Sequence, residues 1–180
     1  LAVVAPLCCG GVDVGLRERD TTLFSDVSLR VDPGEVLVVT GAERRSIHAL
    51  LLTLAGRVAP TDGTLKVNGQ LLPGRAPWVR SRVGVALLTD AASPSRELRR
   101  ALSGHPRLVV IDGLDADTAA ASRDQFASEI RDAAARARAA SRPFTLIVGA
   151  ADPDAAHEIL ASAGVGPAAT LDLAHPDAAG

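Results

Sequence analysis

An α/β domain built on a mainly parallel sheet flanked by helices, with an antiparallel N-terminal part, is the fold this 180-residue chain predicts. Three observations carry that expectation. A continuous apolar run at 108–111 and mostly apolar segments at 36–40 and 144–148 fit buried strands. Helix-patterned segments separate them, with short connections. The first third instead alternates polar and apolar residues and carries hairpin signals.

Taken in order, residues 1–13 read as a first edge strand or partly as a leader. Strands follow at 12–16 and 23–31, the second alternating from Phe24 to Val31, and Asp32-Pro33-Gly34-Glu35 turns the chain. A buried strand at 36–40, a turn opening at Gly41 and a helix from Ser46 to Leu54 come next, and Gly56 stops that helix. Pro60 to Gly63 turns into a short strand at 64–67, and Asn68-Gly69 is a strong hairpin signal. A strand at 83–88 precedes a helix at 94–102, for which Ser93 is the N-cap and Pro94 the first residue. After the strand at 108–111, a long Ala/Arg helix covers 118–140 and closes before Pro143. The strand at 144–148 leads to a helix capped by Asp152-Pro153 and ended by Gly164, and 170–173 is a last edge strand.

One domain, 1–180, is the natural reading of this length. Net charge is −2 and the only aromatics are Phe24, Trp78, Phe126 and Phe144, so neither an electrostatic footprint nor a stacking surface for nucleic acid is present. Cys8 and Cys9 have no further cysteine to complete a metal site or a disulfide framework, which favours a reducing compartment. No run is long and apolar enough to span a bilayer, and no signal-peptide pattern is evident.

The stretch 33–56, PGEVLVVTGAERRSIHALLLTLAG, has the layout of a phosphate-binding loop: strand, glycine turn, helix. The working pattern is G-x-x-x-x-G-K-[ST]. Gly41 opens it, but Ser46 stands at the second glycine, Ile47 at the lysine and His48 at the hydroxyl residue. Arg44 and Arg45 fall on the loop, where bulky side chains spoil a nest of N–H groups. Two arginines can attract phosphate. Solvated charges on a loop released from that duty are the blander alternative. Lys66 is the single lysine of the chain, and it lies in a strand remote from the loop.

The order of these segments resembles the nucleotide-binding domain of an ABC transporter, an ABC-type P-loop ATPase. Asp26 to Leu29 and Gly34-Glu35 match its "DVSL" strand and Gly-Glu turn. Leu54 to Gly56 match "LAG", and Pro60, Gly63, Leu65, Val67 and Gly69 match the segment that follows it. Ala101 to Asp112 match "AL-x-x-x-P" and the second acidic motif. The resemblance covers about nine-tenths of the chain and implies a P-loop NTPase-like fold, with Asp112 at the Mg²⁺-binding aspartate.

Against that pattern the departures point one way. Gly113 stands where the water-polarising glutamate belongs, Leu88 where a glutamine senses the γ-phosphate, and Gly149 or Ala150 where a switch histidine is expected. Asp115 and Asp117 read as caps of the following helix, and His105 and His157 as solvated surface residues. No aromatic residue near 14–19 offers a stacking face for adenine. Only 89–107 fills the interval that in the family holds a helical subdomain and its signature, so that subdomain reads as deleted. Leu102-Ser103-Gly104 follows the signature helix and is a coincidental likeness.

The expectation is therefore a degenerate ABC-transporter ATP-binding-cassette subunit. It is a non-hydrolysing pseudo-ATPase with no required cofactor, and Asp112 is a vestigial metal position. The resemblance implies a structural or regulatory role beside a membrane permease or an active ABC ATPase, or as a dimer. Its implied place is cytoplasmic, peripheral on the inner face of the membrane. The charged face of the helix at 118–140, with Arg123, Arg131, Arg136 and Arg138 among Asp124, Glu129 and Asp132, is one candidate surface, although mixed charge is the usual dress of a solvated helix. The alternative is an ATP-binding component with a weak or composite ATPase site, which keeps ATP and Mg²⁺.

Overall fold

The computed structural model of the chain describes residues 8–117 and 119–173. β1 (Cys9–Glu18) and β2 (Thr21–Val31) form an antiparallel pair. β3 (Val36–Gly41) runs into α1 (Arg44–Leu54). β4 (Asp62–Val67) and β5 (Gln70–Leu72) close a hairpin over Asn68 and Gly69, whose φ angles of 49° and 76° are those a two-residue turn of this kind requires. Then come α2 (Ala76–Arg80), β6 (Val83–Leu87), α3 (Pro94–Leu102) and β7 (Leu108–Asp112). The chain continues through α4 (Ala120–Ala139), β8 (Thr145–Gly149), α5 (Pro153–Ser162) and β9 (Ala168–Leu173).

Two sheets result. The antiparallel one has the order β2-β1-β4-β5, and the parallel one the order β6-β7-β8-β3-β9. The fold is the P-loop NTPase-like α/β class that the sequence predicts. β1 is an interior strand, with β2 on one side and β4 on the other, and not the edge strand expected from residues 1–13. Residues 1–7 of the stretch 1–13, read in part as a leader, lie outside the described residues. β9 is at the sheet edge, as expected, against β3.

Alternation along the parallel strands divides the core. Leu37, Val39, Val110 and Ile147 face α1 and the antiparallel sheet, whose Val14, Phe24 and Leu65 complete one apolar layer. Val36, Val38, Val109, Ile111, Leu146 and Val148 face α3, α4 and α5 in the second layer. α1 is thus sandwiched between two sheets. Its residues Ile47, Leu50, Leu51 and Leu54, at helical spacing, are all buried.

Some helix ends differ from expectation. Asp152 caps α5 through its carboxylate, which accepts the N–H groups of Asp154 and Ala155 at 3.1 Å. Ser93 holds the N-cap position of α3 without a side-chain hydrogen bond, so Pro94 and the buried Leu98, Ala101 and Leu102 define that helix. α2 was not expected, because five residues are too few to show a periodicity. No helix among the described residues is long and apolar enough to cross a membrane.

Candidate functional site

The carboxyl edge of the parallel sheet brings together α1, the ends of β6 and β7, and Gly149 of β8. Asp112 is the last residue of β7, and its side chain is 7 % exposed. His48 lies one position along α1 from the buried Ile47, which turns its ring to the rim of the sheet. The Nδ1–H of His48 donates to Oδ2 of Asp112 at 2.6 Å. A buried carboxylate needs such a donor. The positions singled out for a hydroxyl residue and a metal-binding aspartate are therefore in direct contact.

Close packing fixes this arrangement. A Cβ at Gly149 would stand 2.5 Å from Leu51 Cδ1, 2.8 Å from Ile47 Cγ2 and 3.2 Å from Asp112 Oδ1. Only glycine lets α1 settle this near β8. Ile47 is 1 % exposed and packs into the core.

The loop differs from the sequence expectation. Gly41 is the last residue of β3, paired with Leu173 of β9, and not the first residue of an open turn. α1 begins at Arg44, two residues before the expected Ser46. The N–H groups of Ser46 and Ile47 both reach the carbonyl of Glu43, at 3.1 and 3.3 Å. Without glycine at position 46, and with arginines that favour helix, the chain closes into a helical turn over these residues. The Ser46 hydroxyl is buried with no hydrogen-bond partner among the described residues.

Both loop arginines have partners. Arg44 donates to the hydroxyl of Thr89, just beyond β6. Arg45 pairs with Glu18 at 3.0 Å, with both side chains more than 60 % exposed, so the pair adds little stability. Thr89 is a residue that sequence reasoning missed, because nothing local marks a threonine as the partner of an arginine 45 positions away. Gly113 has a φ of 81°, and a Cβ there would lie 2.3 Å from Thr89 Oγ1 and 2.9 Å from Arg44 Nη2. Leu88 turns inward, its N–H donating to the Asp112 carbonyl at 2.9 Å.

The two other acidic candidates divide. Asp117 accepts the N–H of Ala119 at 2.9 Å, and hydrogen bonds from Ser122 first and then Ala119 hold its carboxyl below the usual range. It braces the chain just before α4, but the N-cap is Ala119 and carries no side-chain cap, so Asp117 is not the cap expected. Asp115 instead accepts the N–H of Asp152 at 2.7 Å and ties the β7 loop to the cap of α5. Lys66 sits on β4 in the antiparallel sheet, paired with Gly10 and Leu71. His157 is half-buried, with Nδ1 donating to the Pro153 carbonyl at 2.6 Å, so it is not the solvated residue expected. His105 is exposed. On α4, Glu129 bonds Arg99 of α3 at 2.9 Å and Arg131 donates to the Ser162 carbonyl of α5, so part of the charged face fastens neighbouring helices.

Comparison with known proteins places the chain. No family model matches it. It is 30 % identical over 99 residues to the cytochrome c biogenesis ATP-binding export protein CcmA of Nitrosococcus oceani, covering 55 % of this chain and 43 % of that protein. It is 32 % identical over 127 residues to a probable anion import ATP-binding protein of Haloferax volcanii, covering 63 % and 42 %. Among solved structures, CbiO1 of Clostridium perfringens, part of the ABC transporter complex CbiONQ, superposes with a TM-score of 0.68 at 12 % identity, covering 94 % of this chain and 87 % of that one. Over these stretches the chain is similar to ATP-binding-cassette proteins, and its fold is that of a cassette. A dimeric ATP-binding cassette bound to ADP and Pi superposes with a TM-score of 0.66 at 10 % identity, covering 93 % and 97 %, and shares the cassette fold. The matched stretches span less than half the length of the two curated relatives, at 43 % and 42 %.

Proposed function

We propose that this cassette is a non-hydrolysing pseudo-ATPase that serves as a structural or regulatory subunit beside an active ATPase or a membrane partner. The observation that carries the reading is the His48–Asp112 hydrogen bond. In a working site a hydroxyl residue and an aspartate at these positions share a Mg²⁺ ion. Here an imidazole fills that place and engages the carboxylate. The residues present do not fit Mg-ATP: Ile47 is in the core, the Ser46 and Ile47 N–H groups bond Glu43, and a Cβ at Gly113 would meet the Thr89 hydroxyl and the Arg44 guanidinium. One helix of nine residues, α3, fills the interval from β6 to β7, which supports the reading that the helical subdomain is deleted. An ATP-binding-cassette dimer and a CbiONQ-type complex among the structural neighbours make pairing with a second cassette or a permease the natural assembly.

The test is equilibrium binding of Mg-ATP by calorimetry into the millimolar range, alongside a phosphate-release assay, with Asp112→Asn as control. The expected result is no phosphate release and no binding that depends on Mg²⁺ or on Asp112. Saturable Mg²⁺-dependent binding that Asp112→Asn weakens overturns the proposal and makes a composite ATPase site the working account.

A further inference from the structure

A cavity among the described residues lies at the opposite, amino edge of the parallel sheet. It encloses about 680 Å³ beneath the turn that precedes β7, with the first residues of β6 and β8 as its floor. Its volume is that of a small-molecule site. Its wall carries Arg57, Arg82, Arg100 and Arg107, and none of its described lining residues is an aspartate or glutamate. This is not a reflection of overall composition, since the chain has 21 acidic residues against 19 basic ones.

The four guanidinium groups differ in how far they are committed. Arg100 is paired with Glu97 at 2.7 Å. Arg82 lies over the Trp78 ring, 4.3 Å from its centroid, an arrangement that holds the guanidinium in place without neutralising it. Arg57 and Arg107 have no carboxylate partner among the described residues, and neither does Arg82. Three uncompensated guanidinium groups thus share one concave wall with Trp78. His105 stands in the same wall, its backbone carbonyl held by Arg142 at 3.0 Å.

We infer that this cavity is a binding site for a small anion bearing two or three linked phosphate groups. Guanidinium forks match phosphate oxygens two at a time, and a concave wall that excludes part of the water strengthens each contact. A single sulfate-sized anion would leave most of a 680 Å³ cavity and at least one cation unused. The site is separate from the His48–Asp112 edge: every strand of the parallel sheet runs from the cavity side towards that edge. It stands or falls independently of the pseudo-ATPase reading.

Trp78 is the only tryptophan of the chain, which has no tyrosine, so its emission reports on this wall alone. The experiment titrates inorganic tripolyphosphate into the full chain without Mg²⁺ at constant ionic strength, following Trp78 emission and, in parallel, heat by calorimetry. Sodium sulfate serves as the competitor. Saturable tripolyphosphate binding is expected, with sulfate at least tenfold weaker. Arg57→Gln/Arg107→Gln should weaken it at least tenfold, and Arg44→Gln/Arg45→Gln should leave it unchanged. Arg57 and Arg107 are exposed, so the fold tolerates their replacement, and circular dichroism checks it. Should the double variant unfold, Arg107→Gln alone is expected to weaken binding at least threefold. The inference is overturned by no saturable heat with the wild-type chain, by equal affinity for sulfate, or by loss of binding in the Arg44/Arg45 variant in place of the Arg57/Arg107 one. The last outcome would assign the anion to the loop edge and count against the pseudo-ATPase reading instead.

Discussion

His48 and Asp112, 64 residues apart, meet through a 2.6 Å hydrogen bond that ties α1 to the end of β7. Asp112 is 5 % exposed, so its carboxylate depends on that donor more than an exposed one would. Replacing His48 by alanine orphans a nearly buried acceptor. The His48 ring is itself 42 % exposed, so water can enter the space it leaves, and the expected cost is about 1 kcal/mol, the low end for an unsatisfied buried group. In His48→Ala/Asp112→Asn the neutral amide is cheaper to leave unpaired, and part of the loss should return. Urea denaturation of the four proteins in the cycle measures this. Strictly additive losses would mean that the two residues do not act as a pair.

Gly113 stands where the resemblance expects a water-polarising glutamate, and its surroundings crowd a side chain. Its φ of 81° disfavours other residues, and Thr89 Oγ1 would be 2.3 Å from a Cβ. Gly113→Ala should cost about 1–3 kcal/mol, the range for a non-glycine residue held in a disfavoured backbone region. Thr89→Ala removes the nearest atom, so the double variant should recover the steric part and leave the backbone part. Thermal unfolding followed by circular dichroism decides. An unchanged midpoint in Gly113→Ala would show that the Arg44–Thr89 contact yields freely.

Ile47→Lys with His48→Ser restores the letters of the phosphate-binding pattern but not its geometry. Ile47 is 1 % exposed, so a lysine there displaces a packed aliphatic side chain and carries an amine towards the core. The loss should be about 2–5 kcal/mol for the aliphatic packing alone, with amine desolvation added. Mg-ATP affinity should not appear. A double variant that keeps its stability and binds Mg-ATP would show that α1 can unwind to Ser46 at little cost, and that the helical turn over Arg44 and Arg45 is a soft feature.

Much of this molecule is legible in its sequence because its strands carry their environment in their composition. The runs at 108–111 and 144–148 hold a single polar residue, Thr145, between them, a composition that fits interior strands, and β7 and β8 are entirely buried. Asn68-Gly69 and Asp152 declared their turn and cap by local chemistry alone. The site was legible only as a set of missing letters. That His48 would turn to Asp112, that Arg44 would close on Thr89, or that α1 would begin at Arg44 depends on contacts 64 and 45 residues apart and on the space left at Gly149. The arginine-lined cavity was invisible for the same reason. Arg57, Arg82 and Arg107 come from three separate connections that only the closed fold gathers.

The adjacent thiols Cys8 and Cys9 give a pH signature that follows from their opposite shifts. A hydrogen bond from the Cys9 thiol, aided by Thr145 and opposed by burial, pulls the Cys8 thiol below its ordinary value. The same hydrogen bond, with burial and the nearby Cys8 charge, pushes Cys9 well above it. The folded pair therefore gives up one proton early and keeps the second late. Between the lowered Cys8 value and the ordinary thiol range, the unfolded chain binds two protons on these thiols and the folded chain one, so this pair makes stability rise with pH. Above the ordinary range the unfolded chain has lost both and the folded chain still holds one, so the slope reverses. Each limb approaches about 1.4 kcal/mol per pH unit. Absorbance at 240 nm should show one thiolate, not two, before the folded protein begins to lose stability in alkali, and Cys9→Ala should remove the alkaline limb. Two thiolates appearing together in the folded protein would mean that the thiols do not share a proton, and neither limb of the stability profile would then belong to them.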